Sequence, residues 1–284
     1  MRIRSGVAAT DAFLDNGYTR VRGMSSRFAA AVCARLIAVQ RKAGIKGGIA
    51  EIGAFQGRFF IALMKALEKG ERGVAIDQFS WPDDSCLARF EANCARYGLK
   101  PERFTALKAD SRRLKPEAIT GPLEHDAEKW KPVFGKNHAK FKRLEQDDDS
   151  RKRHPGLGGK ARFIHVDGEH TPEHLTSDLA LALAAMSDDG IMVLDDMLHP
   201  GYPLLALTVQ AFLEKHPGLR VCCIIDREDI VGAAKFVICR APRADFYFRA
   251  LEKAFKPYHW PMTADFRAYQ AMVLTPKPRL ARIA

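Results

Sequence analysis

No apolar run in this 284-residue sequence comes near the roughly 20 residues that a membrane-spanning helix needs; stretches such as Leu179–Met186 stop far short. No cysteine pair has C-x-x-C spacing. The six cysteines (Cys33, Cys86, Cys94, Cys222, Cys223, Cys239) fall mostly in apolar stretches, which argues against zinc knuckles and a disulfide scaffold and predicts reduced thiols packed as small hydrophobes. The 21 Gly and 15 Pro are ordinary for this length, so collagen-like and low-complexity classes are excluded. Arg2 and Arg4 open the chain, but Asp11, Asp15 and Asn16 interrupt the segment after them. No signal-peptide apolar segment forms, and the expected location is the cytoplasm. No internal repeat is visible.

What is present is a globular composition, 47% hydrophobic and 28% charged, enough for one large domain with extensions. The 45 Lys and Arg against 34 Asp and Glu leave a formal charge of +11, which suits an anionic partner. The basic residues are nevertheless scattered, and the densest clusters, Arg112–Arg113 and Arg151–Arg153, are short and lie near acids. Nucleic acid is disfavoured as a partner without being excluded.

Apolar residues recur at near-helical spacing from Ser26 to Lys42 after a Ser-Ser cap, predicting an amphipathic helix within an N-terminal extension, 1–46. Short apolar strands are then expected near Gly48–Gly53, Gly73–Asp77, Phe104–Ala109, Ala161–Val166, Gly190–Leu194, Val221–Ile225 and Ala234–Cys239. Helices fit Gly57–Lys69, Glu173–Met186 and Leu204–Lys215. Strands alternating with helices mean βαβ units, so residues 47–241 are expected to form a Rossmann-like, doubly wound α/β domain: a mainly parallel sheet covered by helices on both faces. A polar, charge-dense insertion, 115–160, carries Asp147–Asp149, Arg151–Arg153 and Pro155-Gly-Leu-Gly-Gly159; it is expected to be partly helical and partly mobile. The extension 242–284 opens with an aromatic-rich helix and ends in a Pro-interrupted basic stretch that packs back on the domain or on a partner subunit, leaving a homo-oligomer open.

In an open parallel sheet, ligands bind outside the carboxyl ends of the strands. After the first strand comes Glu51-Ile-Gly53-Ala-Phe-Gln-Gly57, where Gly53 permits a tight turn and Gly57 opens the helix. After the second comes Asp77, placed to accept hydrogen bonds from both ribose hydroxyls of a nucleoside cofactor. The third strand ends in Ala109-Asp110-Ser111, an acidic tip placed to touch an adenine amino group. A nicotinamide dehydrogenase would use the same ribose acid, but the loop lacks the G-x-G-x-x-G order. Gly158-Gly-Lys160 is not a Walker phosphate loop, because Ala161 comes next and the first glycine is missing.

The fourth strand ends in Asp167-Gly-Glu169-His170 and the fifth, preceded by Asp189-Gly190, in Asp195-Asp196. From Gly48 to Cys239, the insertion apart, this ordered series resembles the class I S-adenosylmethionine-dependent methyltransferases, and within them the small-molecule O-methyltransferases of the macrocin and catechol type. The resemblance implies methyl transfer to a hydroxyl of a small molecule. It makes Glu51, Gly53 and Gly57 the methionine-side loop, Asp77 the ribose ligand and Asp110 the adenine-side contact. It also places Asp167 at the cofactor and, with Asp195 and Asp196, in a divalent-metal carboxylate set for which Mg²⁺ is the candidate ion. Many relatives keep the fold without the metal.

Three hard oxygen ligands could hold such an ion and lower the pKa of a bound hydroxyl; alternatively, Asp195 and Asp196 cap the next helix. Glu169 is the preferred general base, with His170 its rival and His199 a third candidate. His165, His170 and His174 lack H-E-x-x-H spacing, which argues against zinc. The turn is not the Asn/Asp-Pro-Pro-aromatic of amino-methylating nucleic-acid enzymes, and no Pro-Cys pair offers a cytosine nucleophile. Two other readings stay open: an RNA or protein methyltransferase using the basic surface, and a methyltransferase-like module that binds the nucleoside without catalysis.

Overall fold

A computed structural model describes residues 3–121 and 156–277. The middle of the charged insertion, and with it the expectation that it is partly mobile, lies outside the described residues.

Along the chain the elements are α1 (Ala8–Asn16), α2 (Arg27–Lys42), β1 (Ile49–Ile52), α3 (Arg58–Met64), β2 (Gly73–Asp77), α4 (Cys86–Arg96), β3 (Phe104–Lys108) and α5 (Glu117–Thr120). After the insertion come β4 (Ala161–Val166), α6 (Pro172–Ala185), β5 (Met186–Met197), α7 (Pro203–Lys215), β6 (Leu219–Ile225), β7 (Ala234–Arg240), α8 (Ala244–Phe255), β8 (His259–Asp265) and β9 (Gln270–Leu274). The strands form one sheet in the order β3-β2-β1-β4-β5-β7-β6-β9-β8. Strands β1 to β5 are parallel, and β7 runs antiparallel to both β5 and β6. The direction of winding reverses between β1 and β4, which opens a crevice at their carboxyl ends.

Period-two alternation splits the strand residues between two cores. Ile49, Ala75, Phe163, Val193 and Val237 pack with residues of α1 to α4 and α8; Ala50, Ile52, Val74, Ile164, Val166 and Leu194 pack with α6 and α7. Both faces are therefore covered, as the near-continuous apolar strands require. The Ser26 hydroxyl caps α2 by accepting from the Ala29 amide at 3.0 Å, the role its position in the sequence suggested. Tyr18 closes the preceding loop by donating to the Ser25 and Ser26 carbonyls. All six cysteines are buried and free, and no helix among the described residues is long and apolar enough to cross a membrane.

The tail departs from its expected description. Its helix is present as α8, but the Pro-interrupted stretch supplies two further strands: β9 pairs in parallel with β6, and β8 lies outermost. Pro261 breaks the alternating pattern that would have marked β8, and it is tolerated because an edge strand leaves backbone donors unpaired in any case.

Candidate active site

A cleft of about 550 Å³ lies along the carboxyl ends of β1 to β4, lined by the turns at the end of each of these strands. Gly53 has φ +85°. A Cβ there would stand 1.7 Å from the Asp167 carbonyl oxygen, so the turns after β1 and β4 meet backbone to backbone. Gly57, at φ +87°, immediately precedes α3.

Asp77 locks the first turn to the second. One carboxylate oxygen accepts from the Phe55 amide at 2.7 Å and the other from the Phe79 amide at 2.6 Å. Burial pushes its pKa up, and the backbone donors work against that rise. Each oxygen keeps a second lone pair, which leaves Asp77 able to accept from a ligand while it shapes the loop. Asp110 also lines the cleft; it caps the turn after β3 through the Arg112 amide at 3.0 Å and pairs with the Arg112 guanidinium at 2.7 Å.

Asp77→Ala is expected to weaken S-adenosylhomocysteine binding by about 1.5 to 3 kcal/mol, the scale of lost charge-assisted hydrogen bonds. Calorimetry on the folded variant checks this, and unchanged affinity would remove Asp77 from the cofactor site.

Glu51 and His165 face each other across β1 and β4 as register partners. Both are buried, and Glu51 Oε1 lies 2.8 Å from His165 Nδ1. On its other side His165 Nε2 meets the ammonium of Lys235 at 3.2 Å. An ammonium can only donate, so Nε2 is the acceptor and Nδ1 carries the proton given to Glu51. Burial, reinforced by Lys235, pushes the His165 pKa well down, keeping the ring neutral. Glu51 Oε2 is buried without a hydrogen-bond partner among the described residues, and Glu51 lines the cleft.

The carboxylate set Asp167, Asp195 and Asp196 does not converge on one point. Asp196 takes a left-handed conformation, φ +56°, where the register between β5 and β7 slips, and the two neighbouring acids enter different groups. Asp195 joins Asp167 and His165; Asp196 joins Asp167 and His170. Each group already holds a cation from the chain. Asp195 pairs with Lys235 and accepts from Ser25 Oγ at 2.9 Å and from the Asp196 amide at 2.8 Å. Burial pushes the Asp195 pKa up, but Lys235 and His165 together hold the carboxyl below its usual range. In the other group, His170 Nε2 lies 2.6 Å from Asp196 and 3.9 Å from Asp167. The expected three-carboxylate Mg²⁺ cage is not assembled as one cluster here, because Asp195 is already paired with Lys235 and the two neighbouring acids fall in separate groups around Asp167.

Asp167 and Asp196 push the His170 pKa up to about 10. The two carboxylates thus favour the cationic ring at neutral pH, a form that donates and does not accept a proton. Because the folded pKa lies above the ordinary 6.5, the stabilisation is complete below about pH 6.5 and disappears as pH rises through about 10. His170→Asn is expected to flatten the pH dependence of urea unfolding across that window; an unchanged slope would refute the pairing.

His199, the third candidate base, does not line the cleft. The chain turns through Leu198 at φ +64°, and His199 Nδ1 accepts from the Gly201 amide at 3.0 Å. Its ring stacks on Tyr202 at 4.7 Å; Tyr202, which stacks on His170 at 4.3 Å, is the residue that reaches the cleft. Glu169 is exposed on the cleft wall and makes no hydrogen bond among the described residues. His174 bonds to Thr171 at the start of α6, so the three histidines set aside for zinc do not gather.

Several cleft residues gave no motif signal. Arg22 to Ser25 cross the cleft ahead of α2, held by Arg58, whose Nε donates to the Val21 carbonyl at 2.6 Å. On the opposite rim Trp81 packs on Phe55 at 5.0 Å.

A doubly wound sheet with a cleft at its switch point, an acid at the second strand end and a backbone-lined glycine turn is the frame of a nucleoside-cofactor enzyme, and the family match makes it that of a class I S-adenosylmethionine-dependent methyltransferase. The chain belongs to the family described as "Methyltransferase domain", whose match spans residues 50–197.

Among solved structures, the O-methyltransferase NovP superposes with a TM-score of 0.50 at 13% identity, over 76% of this chain and 80% of that one; this likeness establishes the fold. The O-methyltransferase from Bacillus cereus aligns at 13% identity and a TM-score of 0.49, over 82% of this chain and 90% of that one. No curated protein matches the sequence.

Proposed function

We propose that the protein moves the methyl group of S-adenosylmethionine to a hydroxyl oxygen of a small molecule. The observation that carries this reading is the position of Glu169, an exposed carboxylate on the cleft wall with no hydrogen bond among the described residues. A cleft of about 550 Å³ is of the size that takes small ligands. In the transfer, a hydroxyl oxygen attacks the sulfonium methyl in line, the C–S bonding pair returns to sulfur, and Glu169 accepts the hydroxyl proton. Asp77 holds the ribose, Asp110 stands at the adenine, and the free oxygen of Glu51 meets the methionine amino group. Asp167 belongs to this cofactor side through its carbonyl packed on Gly53. The Asp167-Gly-Glu turn favours oxygen over a nucleic-acid amine, and the name of NovP agrees with oxygen.

The test is incubation with methyl-labelled S-adenosylmethionine and a panel of hydroxylated small molecules. Label in an alkali-stable methyl ether, with S-adenosylhomocysteine released in equal amount, is the expected result. Label found in RNA or protein, or tighter binding of NAD than of S-adenosylhomocysteine, would overturn the reading.

A further inference from the structure

Lys235 is the second residue of β7 and is fully buried. Its ammonium touches the Asp195 carboxylate, Ser25 Oγ at 3.1 Å and His165 Nε2 at 3.2 Å, with the Phe59 ring centroid 4.8 Å away. Three N–H groups thus meet three acceptors. Two of those partners, Asp195 and His165, belong to a set whose ligand atoms, with Asp167, lie within 4.8 Å of one another. Ligands about 2.1 Å from a shared ion lie at most about 4.2 Å apart, so a small inward shift of these side chains would complete a shell.

We infer that Lys235 is the resident cation of this cluster: its ammonium occupies the coordination space of a divalent ion, the protein needs no metal there, and removing the ammonium opens a cation site on His165, Asp167 and Asp195.

Two arguments carry this beyond proximity. His165 Nε2 has one lone pair, and Lys235 uses it while Nδ1 is committed to Glu51; lysine and metal are mutually exclusive on that nitrogen. A buried carboxylate must also be compensated by some positive charge, and Asp195 already has it from β7. The position depends on chain direction: because β7 is antiparallel, its first residues arrive at the carboxyl ends of β4 and β5, where a parallel strand would deliver its last. The inference rests on the methyltransferase class only for naming the site, and its test needs no acceptor.

Mn²⁺ is titrated into the whole wild-type protein and into Lys235→Ala after chelation, with free ion read from its electron paramagnetic resonance signal. The wild type is expected to bind no equivalent that Asp195→Asn removes. Lys235→Ala is expected to bind one equivalent at least tenfold more tightly than any wild-type site, and to lose it when Asp195→Asn is added. Should Lys235→Ala be unstable without metal, Mn²⁺ must raise its Tm and leave that of the wild type unchanged. A wild-type equivalent that depends on Asp195, a folded Lys235→Ala indifferent to Mn²⁺, or an unstable one that Mn²⁺ fails to rescue overturns the inference. S-adenosylhomocysteine calorimetry on the wild type reports separately on the cofactor: its failure would sink the nucleoside reading and leave the Mn²⁺ comparison standing.

Discussion

Gly53→Ala is expected to lower the unfolding free energy by about 3 kcal/mol or more and to abolish measurable S-adenosylhomocysteine binding. Two costs combine there. The φ of +85° penalises any Cβ, and the new methyl would lie 1.7 Å from the Asp167 carbonyl oxygen and 2.4 Å from its carbon. Neither atom is the end of a flexible side chain, so the turns after β1 and β4 must separate. Gly70 provides the control, since at φ +94° it has nothing within 4 Å of a built Cβ. Gly70→Ala should cost only about 1 to 2 kcal/mol, the penalty of the left-handed conformation alone. Urea unfolding of both variants measures the difference, and equal losses would mean that the backbone approach at Gly53 is not a constraint.

Glu169→Gln is expected to lower turnover by about 10²-fold or more, the usual yield of a positioned general base. Its S-adenosylhomocysteine affinity should stay within about twofold, because the side chain is exposed and bonds to nothing that shapes the loops. His170, 2.6 Å from Asp196, is disfavoured as the base because the neighbouring carboxylates stabilise its protonated form. His170→Asn should therefore leave the acidic limb of the rate profile where it is. A rate unaffected by Glu169→Gln, once the acceptor is in hand, would return the transfer to alignment alone.

Much of this arrangement was legible in the sequence because strand ends are punctuated. Glycine marks the turn after β1, and single acids mark the ends of β2 and β3, so Gly53, Asp77 and Asp110 could be placed from order along the chain. The seven strands through β7 were legible as apolar runs, though not their directions. That gap hid Lys235: a search for polar residues just after each run passes over one that comes at the start of a reversed strand. The register slip that parts Asp195 from Asp196 was equally hidden, since adjacent acids look alike in sequence whatever their φ. The segment Arg22–Ser25 reaches the cleft through Arg58 and Tyr18, contacts that carry no spacing rule. The strands β8 and β9 were missed because Pro261 and neighbouring polar residues dilute the alternation.

The burial of every cysteine has a consequence for how the molecule can be watched. Desolvation pushes the Cys33 thiol up to about 12 and the Cys86 thiol up to about 11, and raises Cys94 and Cys223 as well; attack on a disulfide reagent requires thiolate and access, and all six thiols are buried. A folded molecule is thus chemically silent toward such reagents, and modification reports the moments when structure opens. Cys33 sits in α2, Cys86 and Cys94 in α4, Cys222 and Cys223 in β6, and Cys239 in β7. The native thiols form a distributed set of reporters, from helices over the cofactor strands to the far half of the sheet. Their order of labelling reads out which part of the molecule breathes first, with no probe introduced.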